Sequence, residues 1–242
     1  MPRNWTMKVL NAEVKTVDQH PQFGGAHANI WRGQLYVTQN DPSIQLGIVT
    51  KAKAWSILSH PYILEILGIF TDITITGAPG TITYYRPLGN ISTFLCDNRS
   101  VNKLALEGEE FIPQIAFCTF TRTILNEMPT TGTTLFTVHR HTPPELLCAE
   151  NPTTADLSLE TDIYAFGMLA LEVVTGKPPF YNCMDIQAVL LIASGSKPLR
   201  YHYVPCAELG DPLWALLERC WSIIPLNRPT MDEVCRLLQD VI

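Results

Sequence analysis

The segment Thr161–Thr175 constrains the fold of this chain more than any other, because it is apolar on nearly every face. Its large apolar side chains are Ile163, Tyr164, Phe166, Met168, Leu169, Leu171, Val173 and Val174. A helix that lies among other helices has this pattern, whereas a surface helix has a single apolar stripe. We therefore expect Thr161–Thr175 to be the central helix of a helical lobe.

Shorter segments with helical signals follow it in the sequence. Asp185–Ala193 and Leu213–Trp221 carry the amphipathic stripes of helices with one buried face. Thr230 and Glu233 have the spacing of a capping box, which predicts the start of a further helix. Both tryptophans of the second segment are expected to lie in the core.

The first third of the chain has the signals of short strands. Val9–Val17 and Asn29–Tyr36 are predicted to form a hairpin around a turn at His20–Gly25. Two more strands are predicted at Ile63–Phe70 and Thr81–Tyr85. We therefore expect a small sheet in this part of the chain.

The periodicity changes from strand-like to helical across Leu88–Leu95, which predicts an α+β fold with two lobes. We expect a small β-sheet lobe over residues 5–87 and a helical lobe over residues 88–242. Together they would form a single domain over residues 1–242. Glu107–Pro144 has no clear period and is predicted to be a long irregular loop.

Charge and composition exclude several classes of function. The chain has 17 Lys+Arg against 23 Asp+Glu, a formal charge of −6, so we expect no nucleic-acid partner. Its apolar runs are far shorter than the roughly 18 residues of a membrane-spanning helix, so we expect no membrane partner. The seven scattered cysteines form no Cys-x-x-Cys pair and predict neither a disulfide framework nor a zinc site. We expect a cytoplasmic protein.

His139 and His141 flank Arg140 with a spacing that would suit a metal ion on a strand. Two histidines alone do not complete a ligand set. We expect them to be exposed loop residues, and we expect no metal site.

Six short motifs occur in one order along the chain. They are Ser59–Leu64, Pro143–Glu145, Thr161–Met168, Glu172–Phe180, Arg219–Trp221 and Asn227–Thr230. The set closely resembles eukaryotic protein kinases of the tyrosine-kinase-like type, across about residues 9–242 with gaps. The resemblance implies a two-lobed protein-kinase fold. It also implies the activity of that family, which is transfer of the ATP γ-phosphate to Ser, Thr or Tyr.

The family covers the ATP phosphates with a glycine-rich loop of the form G-x-G-x-x-G. The resemblance aligns its three glycines with Phe23, Gly25 and Ala28, so only the middle glycine is kept. Gly24, Gly25 and Ala28 are therefore the candidate cofactor-binding residues of a remnant loop. A plain hairpin turn explains the two glycines equally well, so both interpretations stay open.

The resemblance also implies that the parts that carry out phosphotransfer are missing. Leu35–Thr50 contains no lysine for the strand position, and Lys51 occupies the position of the helix glutamate. No His-Arg-Asp with a following Asn occurs between Cys96 and Ile115, and Phe117 stands at the position of the metal-binding aspartate. We therefore expect no catalytic residue and no cofactor in the chain as it stands. ATP and Mg²⁺ would be needed only if the family function is retained.

Three charged residues are expected to keep structural roles. Glu145 and Arg228 match the two ends of a buried ion pair that, in the family, anchors the substrate-side segment to the helical lobe. Asp162 matches a residue that holds the catalytic loop. Without that loop we expect Asp162 to remain as a carboxylate at a helix start, where the helix dipole favours it.

The family's missing helix packs against the central one, so Phe166, Met168 and Leu169 are expected to lose cover along one side. Cys96–Pro113 either fills the gap or leaves an association-prone surface, and the sequence leaves both alternatives open.

The sequence is compatible with three functions: an interaction protein, an enzyme and a non-functional fragment. The missing catalytic parts favour a protein-kinase-like module without phosphotransfer, which presents its helical lobe to protein partners. The alternative is an active protein kinase, if the missing segments are a gene-model artefact or are compensated elsewhere.

Overall fold

The computed structural model describes residues 14–16, 23–24, 29–30, 33–35, 55, 58–70, 80–98, 101, 103, 112–116, 140–149 and 158–240. The chain divides into two compact units. The first unit comprises Met1–Pro87 and Ile112–Thr137, and the second comprises Leu88–Phe111 and Val138–Ile242. The α+β class expected from the sequence is confirmed, because strands lie in the first unit and helices in the second.

Two short antiparallel pairs lie near the beginning of the first unit. Strand β1 (Val14–Thr16) pairs with β4 (Gly33–Leu35), and β2 (Phe23–Gly24) pairs with β3 (Asn29–Ile30). The antiparallel pairing expected between the two segments is present. The turn predicted at His20–Gly25 is wrong in part, because Phe23 and Gly24 are strand residues that pair with Ile30 and Asn29.

A third antiparallel pair joins β5 (Ile66–Phe70) to β6 (Gly80–Thr83). The strands predicted at Ile63–Phe70 and Thr81–Tyr85 are confirmed with shifted ends. The register changes between Ile66 and Gly68, where the ladder contains an irregularity. In a regular strand Ile66 and Ile69 would face opposite sides, yet each is only 1% exposed. The register shift between these two residues interrupts the regular alternation of faces.

The second unit is built from helices. They are α1 (Ile91–Asp97), α2 (Pro144–Leu147), α3 (Leu159–Thr175), α4 (Asp185–Ala193), α5 (Asp211–Cys220) and α6 (Met231–Gln239), with 3₁₀ turns at Arg200–His202 and Pro225–Asn227. The described helices include none that is long and apolar enough to cross a membrane.

Helix α3 is the central element of this unit, as the sequence predicts. It begins at a reciprocal cap in which Ser158 and Thr161 each bond to the other's backbone N–H. It ends at Thr175 and is followed by Gly176, whose φ of 69° is a left-handed conformation that glycine adopts at low cost. The expected loss of cover is wrong for Met168, which is fully buried, and holds for Leu169, which is exposed.

The core forms where α3 packs against α5. Trp214 and Trp221 are buried with their rings edge to face at 5.5 Å, so the prediction that both lie in the core is confirmed. Gly167 permits this packing, because a Cβ there would lie 2.7 Å from both Cys220 Cβ and Trp221 Nε1. The close approach of the two helices therefore depends on the missing side chain.

Helix α6 begins with the predicted capping box. Thr230 Oγ1 accepts from the Glu233 backbone N–H at 3.3 Å, and Glu233 Oε2 accepts from the Thr230 N–H at 2.9 Å. The bond from the Thr230 N–H is the main cause that holds the pKa of Glu233 below its usual range, so its carboxylate stays ionised beside the positive end of the helix. Val234 then packs into the core.

Candidate functional site

The structure brings Glu145 and Arg228 together although 83 positions separate them in the sequence. Arg228 Nη1 lies 2.6 Å from Glu145 Oε1, and Nη2 lies 2.8 Å from Oε2. Two parallel bonds of this kind make the strongest ion-pair geometry available to arginine. Glu145 is placed there by α2, whose first residue is a proline suited to a helix start.

Further contacts satisfy the Arg228 guanidinium, whose side chain is fully buried. Its Nη1 donates to Glu160 O and its Nε donates to Ser222 O, both at 2.9 Å. Its Cζ lies 5.0 Å from the centre of the Tyr164 ring, within the range of a cation–π contact. Burial raises the pKa of Tyr164, so the ring beside the arginine stays neutral. Arg228 thus connects α2, the start of α3 and the loop before α6.

Asp162 lies in the first turn of α3 and is exposed. Its position is that of a carboxylate favoured by the helix dipole. At this helix end the Arg228 guanidinium contacts the carbonyl of Glu160.

Arg140 forms a second anchor, which sequence reasoning missed. Its guanidinium donates to the carbonyls of Pro179, Phe180 and Cys183 and pairs with Asp185 at 2.7 Å. Phe180 has a φ of 53°, which is uncommon for a residue with a side chain. The signal in the sequence was weak, because nothing about Arg140 shows which carbonyls, about 40 positions later, would surround it.

His141 is not the exposed loop histidine that the sequence predicts. Its Nε2 lies 3.0 Å from Glu172 Oε2, and Ser92 Oγ donates to Glu172 Oε1, also at 3.0 Å. The bond from His141 is the largest cause that holds the pKa of Glu172 below its usual range, against the opposing effect of burial. Glu172 therefore joins α1, α3 and the segment before α2.

One more contact concerns Cys96–Pro113, the stretch for which the sequence leaves open whether it fills the gap of the missing helix. Lys103 Nζ donates to the carbonyl of Val174 at 2.8 Å, in the last turn of α3. A cation at a helix C-terminus satisfies a free carbonyl and interacts favourably with the dipole. This part of Cys96–Pro113 therefore contacts α3.

The candidate nucleotide-binding residues are placed only in part. Gly24 lies in β2, whereas Gly25 and Ala28 lie outside the described residues. Lys51 lies outside them too.

The position that the resemblance aligns with the family's metal ligand follows a backbone contact in the first unit. Ile115 forms a parallel bridge with Ile63: its N–H donates to Tyr62 O at 2.7 Å, and its carbonyl accepts from Leu64 N–H at 3.1 Å. Phe117, two residues later, lies outside the described residues. A phenylalanine ring offers no oxygen to Mg²⁺.

The resemblance therefore offers no ligand at position 117 for the magnesium ion that the family implies. Within the described ranges, no group of three or more His, Cys, Asp or Glu side chains is placed to hold a metal ion.

Comparison with known sequences decides the family. The family model for protein tyrosine and serine/threonine kinases matches residues 114–238, slightly more than half of the chain. The chain belongs to this protein kinase family. Glu145, Asp162 and Arg228 lie inside the matched stretch of the kinase domain. The candidate glycine-rich loop lies outside it.

The chain is also similar in sequence to individual protein kinases and to a receptor. Tyrosine-protein kinase TXK of Homo sapiens is 24% identical over 257 residues, which cover 91% of this chain and 46% of that protein. Serine/threonine-protein kinase PkaA of Streptomyces coelicolor is 38% identical over 80 residues, 33% of this chain and 14% of that protein. Atrial natriuretic peptide receptor 2 of Homo sapiens is 30% identical over 97 residues, 38% of this chain and 9% of that protein. The chain thus spans about half or less of these relatives' lengths.

Proposed function

We propose that this kinase-family domain does not transfer phosphate and acts as an interaction module that presents its helical unit to protein partners. The observation that carries the proposal is the identity of Phe117, two residues after the backbone contact at Ile115. Phosphoryl transfer depends on a metal ion and on charges already in place around the phosphates. The module accordingly needs neither ATP nor Mg²⁺.

The magnitude of the expected loss supports the same conclusion. Removing one preorganised group that stabilises developing charge costs on the order of 10²–10³ in rate. Here the strand lysine, the helix glutamate, the catalytic loop and the metal-binding aspartate all lack a counterpart in the sequence. Even if these effects overlap, turnover falls below detection.

The anchors of the helical unit do not depend on those lost parts. Arg140, His141 and Glu145 each contact a partner within the second unit. The surface of the helical unit, which these contacts hold in place, is thus available for binding without any nucleotide. This supports a role in protein interaction.

The test is incubation of the purified full chain with Mg²⁺, γ-labelled ATP and generic protein substrates, alongside an active kinase. A Phe117→Asp variant is the matched control, because it restores one ligand and leaves the other three parts missing. We expect no turnover from either protein, and no saturable thermal shift with ATP. Turnover that persists through repurification would instead support the alternative, a kinase acting on protein Ser, Thr or Tyr.

A cytoplasmic location belongs to the same proposal. The described cysteines Cys96, Cys148, Cys183, Cys206, Cys220 and Cys235 are all free. Free thiols are usual in reducing compartments. Fractionation of cells that express the full chain should recover it with the cytosol, and recovery in the secreted or membrane fraction would contradict this location.

A further inference from the structure

Two segments that lie far apart in the sequence are held by the two oxygens of one carboxylate, that of Glu172 on α3. Ser92 Oγ, on α1, donates to Oε1, and His141 Nε2 lies 3.0 Å from Oε2. An ionised carboxylate only accepts hydrogen bonds, so Nε2 carries the proton of the second bond. Both oxygens belong to one planar group, and a rotation that lengthens one bond therefore moves the acceptor of the other.

His141 reaches Glu172 from a backbone that is fixed on both sides. The residue before it, Arg140, donates to three backbone carbonyls between α3 and α4. Glu145, on α2, is bonded twice to a fully buried arginine. We call Arg140–Leu147 the anchor segment. Its two ion pairs place the imidazole, and the imidazole in turn holds the carboxylate in one position.

Helix α1 depends on fewer contacts. Of its seven residues, only Leu95 is buried, and a helix of this length is not stable alone. The bond from Ser92 to Glu172 therefore contributes to its position on α3. A glutamate side chain that is free to rotate loses rotamer entropy when a bond fixes it. This cost does not arise for Ser92 while His141 already holds the carboxylate.

We propose that Glu172 is a relay through which the anchor segment controls the docking of α1 on α3. When His141 is drawn away from Glu172, the carboxylate turns towards solvent, which it already touches with a side chain that is 20% exposed. Arg140 does not replace the imidazole, because its guanidinium is bonded to the carbonyls and to Asp185. The relay goes beyond the proposed interaction function and does not depend on it.

Hydrogen–deuterium exchange of the full chain, followed by mass spectrometry, measures the docking of α1. Its backbone amides are protected by helix bonds such as those from Phe94 N–H to Asn90 O and from Asn98 N–H to Phe94 O, both 2.9 Å. These bonds break when a short helix opens locally, so their exchange rates report how often α1 opens. Helix α6, which the relay does not include, is the internal reference.

Three variants of His141 separate the hydrogen bond from the ring. His141→Phe keeps a ring without a donor, and His141→Asn has an amide too short to reach Glu172. Both should speed exchange in α1 by at least about threefold and leave α6 unchanged, a size typical of coupling through contacting residues. His141→Gln has an amide that reaches the place of Nε2 and should restore most of the protection.

The matched control is His202→Phe, at another half-exposed histidine of the same unit, whose ring contacts that of Tyr201 at 4.2 Å. It should leave exchange in α1 unchanged.

Ser92→Ala removes the other bond of the relay. Alanine favours helix more than serine does, so faster exchange in α1 reports the loss of docking and not of helix propensity. Both changes act through the same bond, so adding His141→Phe to Ser92→Ala should speed exchange by less than about twofold further.

Four results would overturn the relay. They are unchanged exchange in α1 for His141→Phe and His141→Asn, exchange in His141→Gln as fast as in His141→Phe, full multiplication of the Ser92 and His141 effects, and equal acceleration in α1 and α6. The last result would mean that His141 stabilises the whole unit. None of them bears on phosphotransfer or on partner binding.

Discussion

Removal of either partner of the Glu145–Arg228 pair should destabilise the helical unit strongly. Glu145→Ala leaves a fully buried guanidinium with the Glu160 and Ser222 carbonyls but without its counter-charge. Breaking a buried pair from one side costs about 3–5 kcal/mol. Arg228→Ala leaves the Glu145 carboxylate, 28% exposed and hence partly hydrated, but adds a cavity and two unpaired carbonyls. We expect a loss of similar size.

The double variant separates the pair from its surroundings. Once one charge has been removed, removal of the other relieves a penalty, so the two losses should not add. We expect the double variant to lose about 2 kcal/mol less than the sum of the single losses, within the range for residues in contact. Glu145→Gln keeps an acceptor for one guanidinium nitrogen and should fall between wild type and Glu145→Ala.

Urea unfolding of the wild type and the variants, followed by far-UV circular dichroism, measures these differences. Glu218→Ala, at an exposed position on α5, is the control for loss of an acidic side chain and should change stability by less than about 0.5 kcal/mol. Losses that add to within about 0.5 kcal/mol would refute the reasoning, because they would mean that the two side chains do not interact energetically.

Two more changes test the helical unit. Gly167→Ala should destabilise by about 1–3 kcal/mol in urea unfolding, because its Cβ would overlap Cys220 and Trp221; a gain of about 1 kcal/mol, as helix propensity alone predicts, would contradict this. The pKa of Glu172 is lower in the folded chain than in the unfolded chain, where it is near 4.5, so the ionised carboxylate stabilises the fold at pH values above 4.5. This contribution is lost as the pH falls through the folded pKa. The stability difference between wild type and Glu172→Gln should therefore shrink from pH 6 to about pH 3.5, and a difference independent of pH would exclude this role for the carboxylate.

Local signals in the sequence were sufficient for the helical elements. The apolar faces of Thr161–Thr175 and the spacing of Thr230 and Glu233 each depend on neighbours within a few positions, and α3 and the α6 cap agree with them. The strand ends at Phe23–Gly24 were less predictable, because two glycines fit a turn and a short strand alike. Such a choice depends on pairing with another segment.

Contacts between distant positions explain the remaining errors. His141 has no acidic neighbour next to it in the sequence, yet Glu172 is brought to it across 31 positions. Met168 was expected to lose cover because a family helix is missing, but its side chain is fully buried within the core cluster of the second unit. Whether such gaps are repaired depends on packing in three dimensions, which periodicity does not reveal.

The bond from Ser92 to Glu172 also affects how this domain is made on the ribosome. Helix α1 leaves the ribosome 80 residues before the carboxylate that holds its first turn, and Lys103 leaves 71 residues before the carbonyl that it caps. At about 5–20 residues per second, α1 waits roughly 4–16 seconds for its partner. A seven-residue helix is not stable alone for that time. Synthesis therefore delivers α1 unfolded, and its docking onto α3 has to follow the emergence of the central helix.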